Sequence, residues 1–173
     1  MSGPDGVLSV KGLLRLDGDR QWFDRDSAAD WMLSYWRGKC RGPALPGRRD
    51  IDMVEIRPDI LPDLFLIDIA RGGDRERYRY RLIGTRMAEL ADHDPTGSHV
   101  DEFIDPSRIA EMHAWLDRVV AEPAPWLYSA PLAFKHRDWK WSWRLSLPLS
   151  GDGKTVDMLL LHYTLGVLPP ASI

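Results

Sequence analysis

The sequence predicts an α+β domain: a five-stranded antiparallel sheet with helices inserted between the second and third strands, preceded by an amphipathic helix. The first observation is an apolar run, residues 64–70, and an alternating run, residues 77–85, joined by the turn residues Gly72 and Gly73, a pattern typical of a β-hairpin. The second is a group of three strand patterns after residue 125. The third is a stretch with helical spacing between these two groups. Strands on either side of a helical block indicate α+β architecture rather than alternating α/β units.

The composition is that of an ordinary globular protein and narrows the classes of function. The chain has 173 residues, 44% of them hydrophobic, and a net charge of −3. One domain with its own core is expected, and neither nucleic acid nor a membrane surface is an expected partner. The only cysteine, Cys40, excludes an intrachain disulfide and a cysteine-based zinc site. The sequence carries no signal-peptide pattern and no apolar stretch of about 18 residues, which predicts a cytoplasmic location.

The N-terminal part divides into a flexible arm, residues 1–24, and a helix with a Pro-rich linker, residues 25–61. Ser27 is a suitable N-cap for the helix, and Gly38 is a suitable stop. One face of this helix is apolar and largely aromatic, and it carries Ala28, Trp31, Met32, Tyr35 and Trp36. Because aromatic residues are enriched at protein interfaces, Trp31, Tyr35 and Trp36 are the candidate interface residues.

The remaining part, residues 62–168, contains the five predicted strands. In the second strand, Tyr78, Tyr80 and Leu82 alternate with charged residues and are expected to share one face. Thr85 is expected to cap a short helix, and Asp105 followed by proline is expected to begin a longer one. The last strand is apolar on both faces. Its outer face therefore needs a cover, which either the N-terminal helix or a second subunit could supply.

Several motifs occur in a fixed order along this part of the chain. They are YWRGKCRGPALPGRRDIDMVEIRPDILPDLFLIDI, RYRYRLIGT, DPTGSHVDEF and LSLPLSGDGKTVDMLL. Together they resemble a bacterial family of short, stand-alone PAS-domain proteins, over roughly residues 28 to 165. The resemblance implies a PAS fold and a sensory or interaction role without a shared catalytic set. It also implies that the motif residues Tyr80, Gly84, Thr85 and Gly97 are structural.

The resemblance also bears on cofactors. Flavin-binding photosensors of the PAS class carry a cysteine within a short Asn-Cys-Arg-Phe-Leu-Gln helix, whereas Cys40 lies in the linker before the first strand. A photochemical flavin is therefore not expected. Haem-binding PAS domains place a histidine on the long helix, and His113 lies on that helix, so His113 is the candidate haem ligand. The alternative is that His113 lies at the helix boundary and pairs with Asp117 at i+4.

The loop between the inserted helices is rich in residues that bind metals or transfer protons. Its candidates are Asp92, His93, Asp94, His99, Asp101 and Glu102. Their spacing matches no recognised ligand motif, so turn chemistry is favoured over a metal site. If the protein were instead a small α+β enzyme, a His/Asp pair would act as acid and base. The candidate pairs are His113 with Asp117 and His93 with Asp101.

Two further groups of residues lie in the last strands. Trp139, Trp141 and Trp143 recur at every second position beside a small basic cluster, Lys135, His136, Arg137 and Lys140. Packing on a sheet face, or a dimer interface, is favoured over stacking on nucleobases, because the whole chain is acidic. His162 lies within the last strand, where a histidine is expected to be a core residue.

The pocket expected of this architecture lies between the inner face of the sheet and the inserted helices. Its candidate lining residues are Phe65, Tyr80, Met87, Leu90, Phe103, Met112 and Trp115; a core simply filled by these side chains is the alternative. The sequence thus predicts a sensory or regulatory domain that binds a small ligand or a signalling partner and forms a homodimer. The alternatives are the small enzyme and a purely structural dimerisation domain.

Overall fold

The computed structural model describes residues 12–74, 77–134 and 140–166. Within these ranges the chain forms six strands, which are β1 Leu13–Arg15, β2 Leu64–Ala70, β3 Arg77–Ile83, β4 Trp126–Pro131, β5 Trp141–Leu149 and β6 Met158–Leu165. The α-helices are α1 Ala28–Lys39, α2 Thr85–Leu90 and α3 Ile109–Ala121. The strands form one antiparallel sheet in the order β1-β4-β5-β6-β2-β3. The predicted α+β class is confirmed, with α2 and α3 inserted between the strands predicted as second and third.

The sheet has one strand more than the sequence predicts. Leu13 lies opposite Tyr128, and β1 thereby lengthens the sheet beyond β4. Leu16, Trp22 and Phe23 are buried in the core. Residues 13–16, Trp22 and Phe23 are thus packed on the sheet or in its core, while residues 17–21 between them are exposed; the sequence assigns all of these residues to a flexible arm. The reason is physical: three residues are too few to show alternation, and the strand forms because the edge of β4 offers unpaired backbone groups.

The opposite edge of the sheet is also covered. Gly97 donates its N–H to the carbonyl of Tyr80, at 2.7 Å, and Tyr80 donates to the carbonyl of Ser98, at 3.0 Å. Arg79 and His99 form an isolated antiparallel bridge. The loop after α2 therefore occupies the middle of the edge that β3 would otherwise present to solvent.

A separate apolar core lies on each face of the sheet. On the outer face, Met32, Leu33 and Trp36 of α1 are buried with leucines of the central strands. These leucines include Leu145 and Leu160. The cover that β6 needs on its outer face is therefore supplied by α1 of the same chain. On the inner face, α2 and α3 pack with the loop between them.

A β-bulge in β3 changes which of its side chains share a face. Leu66 lies opposite Leu82, whereas Ile67 lies opposite Tyr80, so Arg81 is an extra residue between these two pairs. Tyr80 packs in the inner core, and Leu82 packs against the outer core. The expectation that Leu82 shares a face with Tyr78 and Tyr80 is wrong, because the extra residue shifts the alternation by one position.

The two predicted caps have different outcomes. Ser27 caps α1 as expected, since its hydroxyl accepts the N–H of Asp30 at 3.2 Å. In contrast, α2 begins at Thr85, and Gly84 is its N-cap residue without a side-chain bond. A Cβ at Gly84 would lie 2.3 Å from the carbonyl oxygen of Pro62. This glycine is required because two backbone segments approach each other closely at the start of α2.

Candidate functional site

The inner face brings the predicted pocket residues together. All but two of them are buried in one core cluster: Phe65, Tyr80, Met87, Met112 and Trp115. Leu90 and Phe103 are partly buried and pack against this cluster. The rings lie in contact, since the centroid of Phe65 is 4.6 Å from that of Tyr163 and 5.9 Å from that of Tyr80. Aromatic side chains therefore occupy the region in which the sequence predicts a ligand.

A charged residue lies at the centre of this aromatic region. Arg144 points to the inner face from β5 and is only 1% exposed. Its guanidinium carbon lies 5.3 Å from the ring centroid of Trp115, 5.1 Å from that of Tyr128 and 5.2 Å from that of Tyr163. Each distance is within the range of a cation–π contact. Three aromatic rings thus form a box around the cation.

The polar contacts of Arg144 are few for a buried charge. Nε donates to the hydroxyl of Ser142 at 3.1 Å, and one terminal nitrogen donates to the carbonyl of Pro131 at 2.6 Å. Among the described residues, no carboxylate forms an ion pair with it. A buried cation is costly unless it is paired and hydrogen-bonded. The site is therefore an aromatic box that holds a positive charge without an acidic partner from the described chain.

Sequence reasoning missed Arg144 for an identifiable reason. Ser142, Arg144 and Ser146 alternate with apolar residues along β5, a pattern typical of a strand with one solvent-exposed face. All three are buried, because β5 lies inside the sheet and both of its faces are covered. The signal that could have found them is the position of β5 between two other predicted strands with helices on both sides.

A second cluster of polar side chains lies beside α3. His113 Nε2 is 2.6 Å from Asp101 Oδ1, and the hydroxyl of Tyr78 donates to Asp117 Oδ1 at 2.5 Å. Tyr78, Asp101 and His113 line a surface cleft of about 290 Å³, to which His99 also contributes. Asp117 does not line this cleft. Neither predicted pair forms: His113 bonds Asp101 rather than Asp117. His93 packs on Phe103 instead, and the centroids of the two rings lie 4.4 Å apart.

The polar loop shows the predicted turn chemistry. Asp94 accepts hydrogen bonds from the N–H and the hydroxyl of Thr96, at 3.0 and 2.6 Å. These bonds lower the pKa of the Asp94 carboxyl. Glu102 accepts the N–H of His99 at 3.0 Å. Across residues 12–74, 77–134 and 140–166, no three His, Cys, Asp or Glu side chains are grouped as a metal site would require.

The candidate interface residues of α1 have different environments. Trp36 is 5% exposed, and its Nε1 donates to the carbonyl of Pro148 at 2.9 Å. Trp31 and Tyr35 are only partly buried and stack with their ring centroids 5.0 Å apart. Trp36 therefore belongs to the outer core of the chain, whereas Trp31 and Tyr35 pack against that core and leave part of their surface exposed.

The tryptophans of the predicted ladder are only partly described. Trp141 is 45% exposed, whereas Trp143 is partly buried against the outer core. Trp139 and the basic residues Lys135, His136 and Arg137 lie outside the described residues. In the part of the chain that the structure covers, no helix combines the length and the apolar character needed to cross a bilayer.

The architecture defines a class of protein: an antiparallel sheet whose inner face cups a block of inserted helices and whose outer face carries an N-terminal helix. Comparison with family models gives a match to the PAS domain over residues 25–161. The chain belongs to the PAS domain family. Searches of curated proteins and of solved structures give no significant match. A PAS domain indicates a sensory or regulatory role.

Proposed function

We propose that this PAS domain is a sensor that binds a small molecule with an anionic group beneath the inserted helices, where Arg144 pairs with that group. The observation that carries the proposal is the burial of Arg144 among three aromatic rings without a carboxylate partner among the described residues. A carboxylate or similar anion would offer the charge-assisted, bidentate pairing that a guanidinium favours.

The aromatic rings suit a ligand with a planar or apolar body. Trp115 and Tyr128 lie on α3 and β4, and their ring centroids are 4.9 Å apart. A ligand that reached the guanidinium would have to displace one of these rings. Binding would therefore move α3 relative to the sheet, and a ligand shifts such an equilibrium only by its differential affinity for the two arrangements.

A chain of contacts connects this site with α1 on the other face. Nε1 of Trp115 donates to the hydroxyl of Ser146 on β5, at 3.0 Å. Two residues further along β5, the carbonyl of Pro148 accepts the N–H of the Trp36 side chain from α1, at 2.9 Å. A displacement of α3 would thus act on the strand that holds α1. We infer that α1 passes the signal to a partner protein, or to a second copy of this chain, through the partly exposed pair Trp31 and Tyr35.

The proposal is tested by measuring ligand-induced changes in tryptophan fluorescence and in melting temperature. The probes are benzoate, succinate and acetate, each compared with the uncharged amide of the same acid. We expect at least one carboxylate to raise the melting temperature and to change the fluorescence, while its amide binds at least tenfold more weakly.

The variant Arg144→Met removes the charge and keeps an apolar side chain of similar length. We expect it to fold and to lose carboxylate binding, whereas Arg81→Met, at the exposed bulge position, should bind as the parent does. Folding is checked by circular dichroism, and Arg144→Gln, which also removes the charge, is the second variant if the methionine variant does not fold. Equal binding by a folded Arg144 variant and the parent, or no response to any carboxylate, would overturn the assignment.

A further inference from the structure

A cavity lies on the outer face of the sheet, separate from the region around Arg144. It measures about 80 Å³ and lies between the start of α1 and the strands β4, β5 and β6. The floor consists of outward-facing side chains of neighbouring strands, which are Leu127, Trp143, Leu145, His162 and Thr164. The roof consists of Phe23, Asp24, Ser27, Ala28 and Ala29.

The register of the sheet explains why the polar members of the floor meet. Leu145 lies directly opposite His162, and Trp143 lies directly opposite Thr164. Trp143 and His162 are therefore diagonal neighbours on one face of adjacent strands, a spacing within reach of aromatic side chains. The sheet thus brings the side chains of Trp143 and His162 to the same wall of the cavity.

Both of these groups are buried with an unsatisfied nitrogen. His162 is 2% exposed, and among the described residues neither its Nδ1 nor Nε1 of Trp143 has a hydrogen-bond partner. Buried polar atoms are nearly always hydrogen-bonded, so two such atoms on one wall call for an explanation. A bound molecule that carries a hydrogen-bonding group would satisfy them.

We propose that this outer cavity binds a small neutral molecule with an apolar body and one oxygen that accepts a hydrogen bond, such as a phenol, an alcohol or a ketone. The Trp143 N–H is the donor to that oxygen, and His162 is its second polar contact. The walls are mainly leucine, alanine and aromatic side chains, which suit an apolar body.

The charges around the cavity exclude an anion. Asp24 is the only charged side chain among its described lining residues, and it lies at the exposed margin. Burial lowers the pKa of His162 to about 4, so its ring is neutral near pH 7. An anion would thus meet a carboxylate without a compensating cation. This separates the outer site from the site of Arg144, whose ligand is proposed to be anionic.

Occupancy of this cavity would act directly on α1. Ser27, which caps α1, and Ala28 and Ala29 of its first turn form part of the roof. A ligand larger than the cavity would lift the first turn from the sheet, and a ligand that fits would hold it there. A ligand at the outer site would therefore also act on α1, the helix that is proposed to pass the signal to a partner.

The test uses phenol as the probe and toluene as the matched molecule without an oxygen. Titration of the ¹⁵N-labelled full chain is followed through the indole N–H resonances. We expect phenol to shift the Trp143 resonance downfield and to bind several-fold more tightly than toluene. The variant Trp143→Phe should weaken phenol binding by about tenfold. The matched control Trp141→Phe, which changes an exposed residue of the same strand outside the cavity, should leave binding unchanged.

A second variant, Ala28→Leu, keeps both polar groups and fills the roof with a larger side chain. We expect it to reduce phenol binding at least fivefold while the chain stays folded. Equal affinity of the parent and Trp143→Phe for phenol would overturn the proposal, as would an absence of saturable shifts. Shifts confined to Trp115 would also overturn it, because they would assign the probe to the inner face.

Discussion

His162 is a buried histidine whose ionisation is linked to folding. Burial in the outer core lowers its pKa to about 4, below the ordinary value of about 6.5. The folded state therefore disfavours the proton that the unfolded state binds. Neutral His162 therefore makes its full contribution to the free energy of unfolding above about pH 6.5, and this contribution is lost as the pH falls towards 4.

We predict that His162→Gln makes the protein less sensitive to acid. Between pH 7 and pH 4.5, the free energy of unfolding of the parent should fall by roughly 2 kcal/mol more than that of the variant. Urea unfolding at the two pH values measures this difference. The control His93→Gln changes an exposed histidine and should keep the acid sensitivity of the parent. An equal loss of stability in the parent and in His162→Gln would contradict the prediction.

The environments of three single residues could not be predicted from the sequence. Arg144 was missed because a buried polar face and a solvent-exposed polar face have the same alternation. Leu82 was assigned to the wrong face because the bulge at Arg81 adds one residue without a compositional signal. His113 was expected to pair with Asp117 if it was not a haem ligand, but it bonds Asp101, whose position depends on how the loop folds back and is not determined by spacing along the chain.

At the scale of elements, the junction between β3 and α2 depends on Gly84. Its N–H donates to the carbonyl of Leu64 at 2.7 Å, and a Cβ would lie 2.3 Å from the carbonyl oxygen of Pro62. No flexible side chain is available to move aside, since the obstacle is backbone. The start of α2, and with it the inserted block, is therefore held by close contact with the turn before β2.

We predict that Gly84→Ala destabilises the protein by roughly 3 kcal/mol, because the new methyl group must push two backbone segments apart. The matched control is Gly38→Ala, near the end of α1, where a Cβ meets nothing within 4 Å. That control should be neutral or stabilising by up to about 1 kcal/mol. Thermal and urea unfolding of the two variants measures the contrast. Similar stabilities of the two variants would refute the role assigned to Gly84.

The longer elements were predictable because their patterns repeat. β2, β5 and β6 each have seven or more residues, which is enough for alternation or a continuous apolar run to be recognised. The capping serine and the aromatic face of α1 were equally clear. In contrast, β1 has three residues and forms only because a partner edge exists, which is a tertiary effect.

At the scale of the whole molecule, α1 serves both the interior and the surface. Met32, Leu33 and Trp36 close the outer core, while Trp31 and Tyr35 remain partly exposed as a stacked pair. A partly exposed aromatic pair on a helix is a suitable centre for a protein contact. The prediction of a homodimer through this helix follows from that arrangement.

We predict that Trp31→Ala weakens self-association of the full chain by at least tenfold without unfolding it. The reason is that loss of a central aromatic contact removes a large part of the binding energy of an interface. Sedimentation equilibrium over a range of concentrations measures the association constant. Lys154→Ala, at an exposed residue of the turn between β5 and β6, is the control and should associate as the parent does. A parent that stays monomeric at all concentrations would contradict the predicted dimer.

The protected margins of the sheet have a consequence for how copies of this chain can meet. One margin ends in a strand of only three residues, and the middle of the other is occupied by the loop that bonds Tyr80. Growth of a continuous ribbon of strands from molecule to molecule therefore lacks an adequate template at either end. Strand addition at the sheet edges, the route by which many β-proteins form fibres, is therefore disfavoured for this fold.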